Sequence, residues 1–439
     1  MSGQLSQKNK LGLWTSTSLV MGNMIGAGVF LMPTTLAAYG SISLIGWVFA
    51  TLGAFLLAKI FSNLSKLMPQ ADGGPYAYCR QGLGDFAGFL VAWGYWISIW
   101  CTNAAIAVSM VSALSTFFPA LATSSFAAVL TGLSAIWLLT WINTLGIVTS
   151  GIVQLTTTAL KIIPLLLVAI GGLFFLKLKY FLPFNASGTS AFTAITATTT
   201  FTFFAFLGLE SATIPSGSVA NPEKTIPRAT LLGTGLAAII YILSTVSIMG
   251  MIPSSQLSHS LTPFADAAVL MWGNGARYWV SAGVAIAAFG ALNGWILIQG
   301  QIPYAISKDK LFPAIFGKVN KKAVPVSGIV IGSVLVSILM VMNYTKGLAE
   351  QFKFLILLTT TTVLVPYLFS TAAYVLIRLQ NKYLQPHNHW PATITLSALA
   401  FLFSLWAIAG SGQETVYWGF FLLMAGIPFY VIILWKRGK

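Results

Sequence analysis

Twelve apolar segments, separated by short polar connections, constrain this chain more than any other feature of its sequence. A helix needs about 20 apolar residues to cross a bilayer, where it satisfies its own backbone hydrogen bonds. The pattern therefore predicts one all-α polytopic membrane domain over residues 1–439, with about 12 transmembrane helices. The segments centre near Gly22, Gly53, Ala105, Ala135, Leu165, Phe203, Ile240, Ala288, Val334, Val363, Phe401 and Leu423.

The charge content supports a location in the lipid bilayer and excludes a large soluble domain. Charged residues make up 7% of the chain, whereas a soluble domain carries roughly 25%. The net charge of +15 does not indicate nucleic-acid binding, because the basic residues lie in short loops between apolar runs. Of the 23 basic residues, 17 fall on the side that would hold both termini. This bias predicts a multi-pass protein of the cell (inner) membrane with cytoplasmic termini.

The first and sixth segments are each interrupted by glycines near the middle, and a proline follows each interruption. Interrupted spans at equivalent places in two halves favour a transporter built from inverted repeats. The alternative is that these glycines only let neighbouring helices pack closely. The residues are Gly26, Gly28 and Pro33 in the first segment, and Gly208 and Pro215 in the sixth.

An unwound stretch at the first interruption would leave backbone amide and carbonyl groups without helical partners. Such groups are tolerated at membrane depth only where they are buried in protein or line a cavity. Amide groups at the start of a half-helix suit a carboxylate, and freed carbonyl groups suit an ammonium group. The interruption therefore predicts a site for the backbone of an α-amino acid.

Two charged residues lie deep within apolar segments and are candidates for proton coupling. Glu210 is the only one of eight acids in such a position, and Lys161 is the only base. A charge at this depth is costly and indicates a functional site. The alternatives are a structural glutamate that holds helices together and a lysine that extends to the membrane surface. A buried Lys161 could instead hydrogen-bond carbonyl groups of the first helix in place of a coupling cation.

Longer motifs resemble the amino acid–polyamine–organocation superfamily, and most closely its basic amino acid/polyamine antiporters, such as the arginine–agmatine and putrescine–ornithine exchangers. The resemblance implies a LeuT-type fold of two inverted repeats, 11–178 and 189–378, with two peripheral helices over 390–435. It also implies alternating access and, in many members, a homodimer. The motifs are GNMIGAGVFLMP at 22–33, GGPYAY at 73–78, FAFLGLESA at 204–212, NPEKTIPRA at 221–229, YILSTVSIMGMIP at 241–253, ALNGWILIQGQ at 291–301, SKDKLFP at 307–313 and LVPYLFSTAAYVLI at 364–377.

The same resemblance implies roles for individual residues. The substrate carboxylate would meet backbone amides near Ala27 and Gly28, and the amine would meet carbonyl groups near Met24, Phe204 and Leu207. The implied gating residues are Tyr95, Glu210 and Tyr367, and the implied proton-coupling residues are Glu210 and Lys161. The implied substrate-binding residues are Asn23, Met24, Ala27, Gly28, Asn103, Ile106, Phe204, Ala205, Leu207, Trp295 and Thr359.

Two departures from the arginine–agmatine exchangers leave the class of amino acid open. Phe204 and Ala205 stand where those exchangers carry a tryptophan and a serine, and phenylalanine is a weaker cation–π partner than tryptophan. Lys161 instead resembles a lysine found in proton-coupled transporters and neutral amino acid transporters of the superfamily. Both departures are compatible with amino acid transport.

The sequence thus predicts a secondary active amino acid transporter and not an enzyme. The leading hypothesis is an antiporter that exchanges a basic amino acid for its amine or another amino acid. The alternatives are a neutral amino acid exchanger, a proton-coupled symporter that uses Lys161, and, from a different class, a substrate-binding membrane sensor. We expect no metal or cofactor, because the three histidines lie in loops and the two cysteines show no metal-ligand spacing. A channel is disfavoured because no ring of repeated filter residues is visible.

Overall fold

The computed structural model describes residues 11–26, 28–145, 160–214, 216–322, 324–343, 345–380 and 390–437. Ala27, predicted to contact the substrate, and Pro215, predicted to follow the second interruption, lie outside the described residues. The secondary structure of the described part consists of helices, with one isolated bridge between Leu11 and Val219.

The helices are numbered in chain order. The first half contains α1 Leu13–Met24, α2 Gly28–Ala37, α3 Ser43–Leu67, α4 Pro75–Leu83, α5 Asp85–Leu114, α6 Ala120–Thr123, α7 Ser125–Thr144, α8 Leu160–Phe175 and α9 Ala191–Phe203. The second half contains α10 Pro222–Met251, α11 Ser254–Leu257, α12 Pro263–Trp272, α13 Ala276–Lys308, α14 Val326–Met342, α15 Leu348–Gln380, α16 Trp390–Ala409, α17 Gln413–Met424 and α18 Gly426–Arg437.

The number of membrane-spanning elements agrees with the prediction. Within the described ranges, nine helical stretches are long and apolar enough to cross a bilayer, and the bent pair α1–α2 is a tenth. The shorter apolar helices α8 and α14 contain the centres of the two remaining predicted segments. The predicted fold class, an all-α polytopic membrane protein, is confirmed. The apolar helix α12 lies between two predicted segments and was not itself predicted.

The helices differ sharply in how much of their surface the protein covers. The most apolar 18 residues of α5 are 94% buried, so this helix runs through the centre of the molecule. The corresponding stretch of α16 is 33% buried, and that of α17–α18 is 17% buried. Large apolar side chains on these outer helices are exposed and face the lipid, as in any membrane-spanning helix at the edge of a bundle.

Glycines bring α13 and α14 into close contact. A β-carbon at Gly328 would lie 3.0 Å from the α-carbon of Gly300, and one at Gly332 would lie 2.8 Å from Cδ of Gln299. Small residues spaced four apart allow two membrane helices to approach this closely. The Gln299 side chain is consequently packed directly against the backbone of α14.

Candidate substrate site

The first helix is interrupted where the sequence predicts it. α1 ends at Met24, α2 begins at Gly28, and their axes differ by 44°. Ile25 leaves the helical conformation with ψ of 71°, and the Gly26 amide bonds back to the Met24 carbonyl oxygen at 2.7 Å. The chain therefore changes direction within a buried part of the molecule.

The second interruption lies beside the first. α9 ends at Phe203, and short 3₁₀ turns follow at Phe204–Phe206 and Ser211–Thr213. Between them, Gly208 has φ of +99°, a conformation that glycine adopts without steric cost. The Asn23 amide donates a hydrogen bond of 2.9 Å to the Ser211 hydroxyl, which joins the two interruptions directly.

A small cavity lies between the two interruptions, α5 and α13. Eight of the eleven predicted substrate-binding residues line it, together with Gly26, Val29 and Thr102, which were not among the predicted substrate-binding residues. Asn103 and Thr359 are fully buried in α5 and α15 without lining the cavity, and Ala27 is outside the described residues. The eight are Asn23, Met24, Gly28, Ile106, Phe204, Ala205, Leu207 and Trp295.

The Phe204 ring covers the start of α2. A β-carbon built on Gly28 would lie 2.2 Å from Cε1 of Phe204, far inside van der Waals contact. The ring also meets Phe352 of α15 edge to face, with 6.3 Å between the ring centroids. Any side chain at position 28 would therefore have to displace the Phe204 ring.

The three predicted gating residues form a single hydrogen-bonded cluster. The Tyr95 hydroxyl donates to Oε1 of Glu210 at 2.5 Å, and the Tyr367 hydroxyl donates to Oε2. All three side chains are buried, with exposed fractions of 0 to 3%. The cluster joins α5 and α15 to the second interruption, so opening or closing between these elements must break or form its hydrogen bonds.

Lys161 points into the protein. Its side chain is 1% exposed, and its Nζ donates a hydrogen bond of 2.5 Å to the Gly22 carbonyl oxygen near the end of α1. The lysine thus contacts the helix just before its interruption and does not extend to the membrane surface. The hydrogen bond agrees with the bracing contact that the sequence analysis considered.

A second polar cluster lies outside the membrane-spanning segments, where α4 meets the end of α13. The Tyr76 hydroxyl donates to Asp309 at 2.7 Å, and the Arg80 guanidinium contacts both Asp309 and Asp85 at 2.8 Å. Burial raises the pKa of the Tyr76 hydroxyl well above its usual value, and the hydrogen bond to Asp309 raises it further. Tyr76 is therefore a hydrogen-bond donor throughout the neutral range.

The described residues show no group of three or more histidine, cysteine or acidic side chains placed to hold a metal ion. The chemistry of the site instead comes from backbone groups, hydroxyl groups, amides and one buried acid. Such a set can bind a zwitterionic molecule by hydrogen bonds.

Similarity to known proteins extends over nearly the whole chain. A sequence profile of the family described as amino acid permease matches residues 11–433. The cadaverine/lysine antiporter of Escherichia coli K12 is 33% identical over 99% of this chain and 97% of its own length. The putrescine transporter PotE of Haemophilus influenzae is 31% identical over 98% of both chains. The arginine/ornithine antiporter of Pseudomonas aeruginosa is 31% identical over 94% of this chain and 88% of its own.

The fold is also similar to a solved transporter structure. The crystal structure of the Eremococcus coleocola manganese transporter in complex with an aromatic bis-isothiourea substituted compound superposes with a TM-score of 0.59. The match covers 98% of this chain and 95% of that one at 13% sequence identity. At this identity the likeness concerns the fold alone.

Proposed function

The chain belongs to the amino acid permease family, among its basic amino acid/polyamine antiporters, and on that premise we propose that it exchanges lysine for cadaverine across the cell membrane. The family consists of transporters, and the described helices suit a multi-pass membrane protein. The observation that carries the proposal is full-length identity of 31 to 33% to three exchangers or transporters of basic amino acids and their amines.

The chemistry of the cavity supports a substrate with an α-amino acid backbone. Amide groups at the start of α2 would meet the carboxylate, and carbonyl groups of the second interruption near Leu207 would meet the ammonium group. The Met24 carbonyl oxygen already accepts the Gly26 amide. Asn103 is buried with its side-chain oxygen lacking a hydrogen-bond partner in the described structure. An unpaired acceptor of this kind suits a second nitrogen at the far end of the substrate.

Alternating access would proceed by movement of the interrupted helices against α5 and α15. The cluster of Glu210, Tyr95 and Tyr367 would close one side of the cavity, because its hydrogen bonds join these elements. A proton on Glu210 would remove an acceptor and weaken that closure. The proposed arrangement includes inverted repeats at 11–178 and 189–378, peripheral helices over 390–435, cytoplasmic termini and a homodimer.

Lys161 favours a second candidate function, exchange or proton-coupled uptake of neutral amino acids. Its contact with Gly22 supplies a cationic group beside the first interruption. A neutral substrate would not be repelled by that charge, whereas lysine or cadaverine would be repelled unless Lys161 is deprotonated.

Counterflow in proteoliposomes tests both candidates. Vesicles loaded with unlabelled cadaverine should accumulate radiolabelled lysine, and vesicles without internal substrate should not. Accumulation of alanine driven by a pH gradient, without lysine exchange, would replace the proposal by the neutral symporter. Binding of lysine without counterflow in any loaded vesicle would instead indicate a membrane sensor.

A further inference from the structure

A buried series of polar side chains connects α14 to α5 through Gln299 of α13. The Nε2 group of Gln299 donates to the Ile329 carbonyl oxygen at 2.9 Å and to the Ser333 hydroxyl at 2.8 Å. Its Oε1 accepts a hydrogen bond of 2.8 Å from Nδ2 of Asn103. Gln299 and Asn103 are both 0% exposed. Gln299 was not predicted as a site residue.

The Ile329 carbonyl determines which way round the Gln299 amide is oriented. A carbonyl oxygen only accepts hydrogen bonds, so it requires the NH₂ group of Gln299 and not its oxygen. The opposite orientation would place two acceptors about 2.9 Å apart. The Ser333 hydroxyl does not decide the matter, since a hydroxyl can donate or accept. Oε1 of Gln299 must therefore face Asn103.

Packing holds the Gln299 side chain in this position. Gly332 lies so close that a β-carbon there would be 2.8 Å from Cδ of Gln299. On the neighbouring helix, the Trp96 indole donates a hydrogen bond of 2.9 Å to the Gln299 backbone carbonyl. These contacts leave the amide little freedom to rotate away from Ile329.

The orientation of Gln299 in turn fixes the orientation of Asn103. Asn103 must present its NH₂ group to Gln299, which directs its Oδ1 elsewhere. Oδ1 is buried and has no hydrogen-bond partner in the described structure. Asn103 itself does not line the cavity. Thr102, the residue before it, and Ile106, about one helical turn after it, both do. A buried acceptor without a partner is costly unless a ligand satisfies it.

We propose that Gln299 is a specificity-determining positioning residue that holds the Asn103 carbonyl oxygen ready for the side-chain nitrogen of a cationic substrate. An ammonium group offers three donors and no acceptor, so it matches a carbonyl oxygen and not an amide NH₂. Hydrogen bonds to a charged donor are also stronger than those to a neutral one. The inference rests on the proposed function, because it explains why a basic side chain is preferred to an apolar one.

The test compares lysine with norleucine, which has the same carbon skeleton without the ε-nitrogen. In purified full-length protein, Gln299→Leu should weaken lysine binding about tenfold, equivalent to about 1.4 kcal/mol. Norleucine affinity should stay within about twofold of the parent, because it offers Asn103 no donor. Gly332→Ala should displace Gln299 without removing a polar group. It should therefore also reduce the preference for lysine over norleucine.

Two control variants and a double-mutant cycle separate positioning from general damage. Gln301→Leu makes the same change two residues along α13, and Ser333→Ala leaves the Ile329 carbonyl in place, so both should keep the parental lysine preference. In an Asn103→Ala background, Gln299→Leu should have no further effect on the ratio of lysine to norleucine affinity, because residues that act through one another are not additive.

The outcomes distinguish this inference from the proposed function. If the parent exchanges lysine for cadaverine but Gln299→Leu keeps the parental affinity ratio, only the positioning role is overturned. An equal loss of lysine and norleucine binding, or additive effects in the cycle, would also overturn it, since they indicate a structural role. If the parent protein itself neither binds nor exchanges lysine, the proposed function and this inference fail together.

Discussion

Nζ of Lys161 lies 2.5 Å from the carbonyl oxygen of Gly22, two residues before α1 ends at its interruption. The hydrogen bond joins α8 to the part of α1 that leads into the cavity, since the next residue, Asn23, lines it. A single buried amine thus connects the position of α8 with the conformation of the substrate site.

Replacing Lys161 should have opposite effects on cationic and on neutral amino acid substrates. A positive charge on Lys161, roughly 8 Å from a cationic substrate, would weaken binding of that substrate by about 2 kcal/mol at an effective dielectric constant near 20. Lys161→Met should therefore tighten lysine binding by up to about thirtyfold and leave its exchange tolerated. Any exchange of alanine should fall severely, because the variant loses the contact with Gly22 and a neutral substrate gains nothing from removal of the charge. Binding and counterflow of both amino acids measure this, and Lys59→Met, at an exposed position on α3, is the control. A variant unchanged for both substrates would contradict the expectation.

Glu210→Gln should flatten the dependence of transport on pH, because an amide does not titrate. It should also slow transport, since an amide has one acceptor oxygen for the two tyrosine hydroxyls that the carboxylate binds. The initial rate of lysine counterflow, measured across a pH series, checks both effects. Tyr95→Phe removes one hydrogen bond but keeps the acid, so it should slow transport and retain a pH profile. Glu350→Gln, at an exposed acid of α15, should match the parent. A parental pH profile in Glu210→Gln would make Glu210 a structural residue.

Gly28→Val should abolish substrate binding while the protein still inserts into the membrane. The new side chain would overlap Phe204, whose Cε1 lies 2.2 Å from the position of a β-carbon. Lysine binding to the purified variant measures the effect, and the yield of folded protein reports insertion. Gly26→Ala is the control within the same motif, because its β-carbon would make an ordinary contact of 3.7 Å with Ala291. Near-normal affinity in Gly28→Val would remove the basis for a site at this interruption.

Asp309→Asn should change neither stability nor the pH profile by much, in contrast to Glu210→Gln. The pair with Arg80 is partly exposed, and such pairs contribute about 1 kcal/mol or less. The pKa of Tyr76 is raised above its usual value by burial and then by Asp309, so its hydroxyl donates at any pH below about 10. Thermal unfolding and the pH dependence of counterflow test this, with Asp266→Asn, which pairs with Arg277, for comparison. A pH profile altered as in Glu210→Gln would assign a gating role to this cluster.

The interruptions of the two helices could be predicted from sequence because their cause is local. Glycine permits the backbone at position 208 to reach φ of +99° without steric cost, and this freedom belongs to the residue itself. Glu210 and Lys161 could be predicted for a similar reason, since a charge within an apolar segment is visible without knowledge of its neighbours.

The partners of these residues could not be predicted, because they depend on contacts between distant parts of the chain. Ser211 binds Asn23 across 188 positions, and Gln299 binds Asn103 across 196. The one available signal for Gln299 was its polar side chain within an apolar segment, which requires buried partners. Helix α12 was missed because ten residues are too few to span a bilayer, so its apolar sequence did not stand out from a connection.

The nearly complete burial of α5 bears on which parts of the chain can vary. A helix at the edge of a bundle has one face toward lipid, so tolerated substitutions recur there with the helical period of about 3.6 residues. The most apolar stretch of α5 is 94% buried, against 17% for α17–α18. A saturation-mutagenesis map should therefore show periodic tolerance along α17–α18 and almost uniform intolerance along α5.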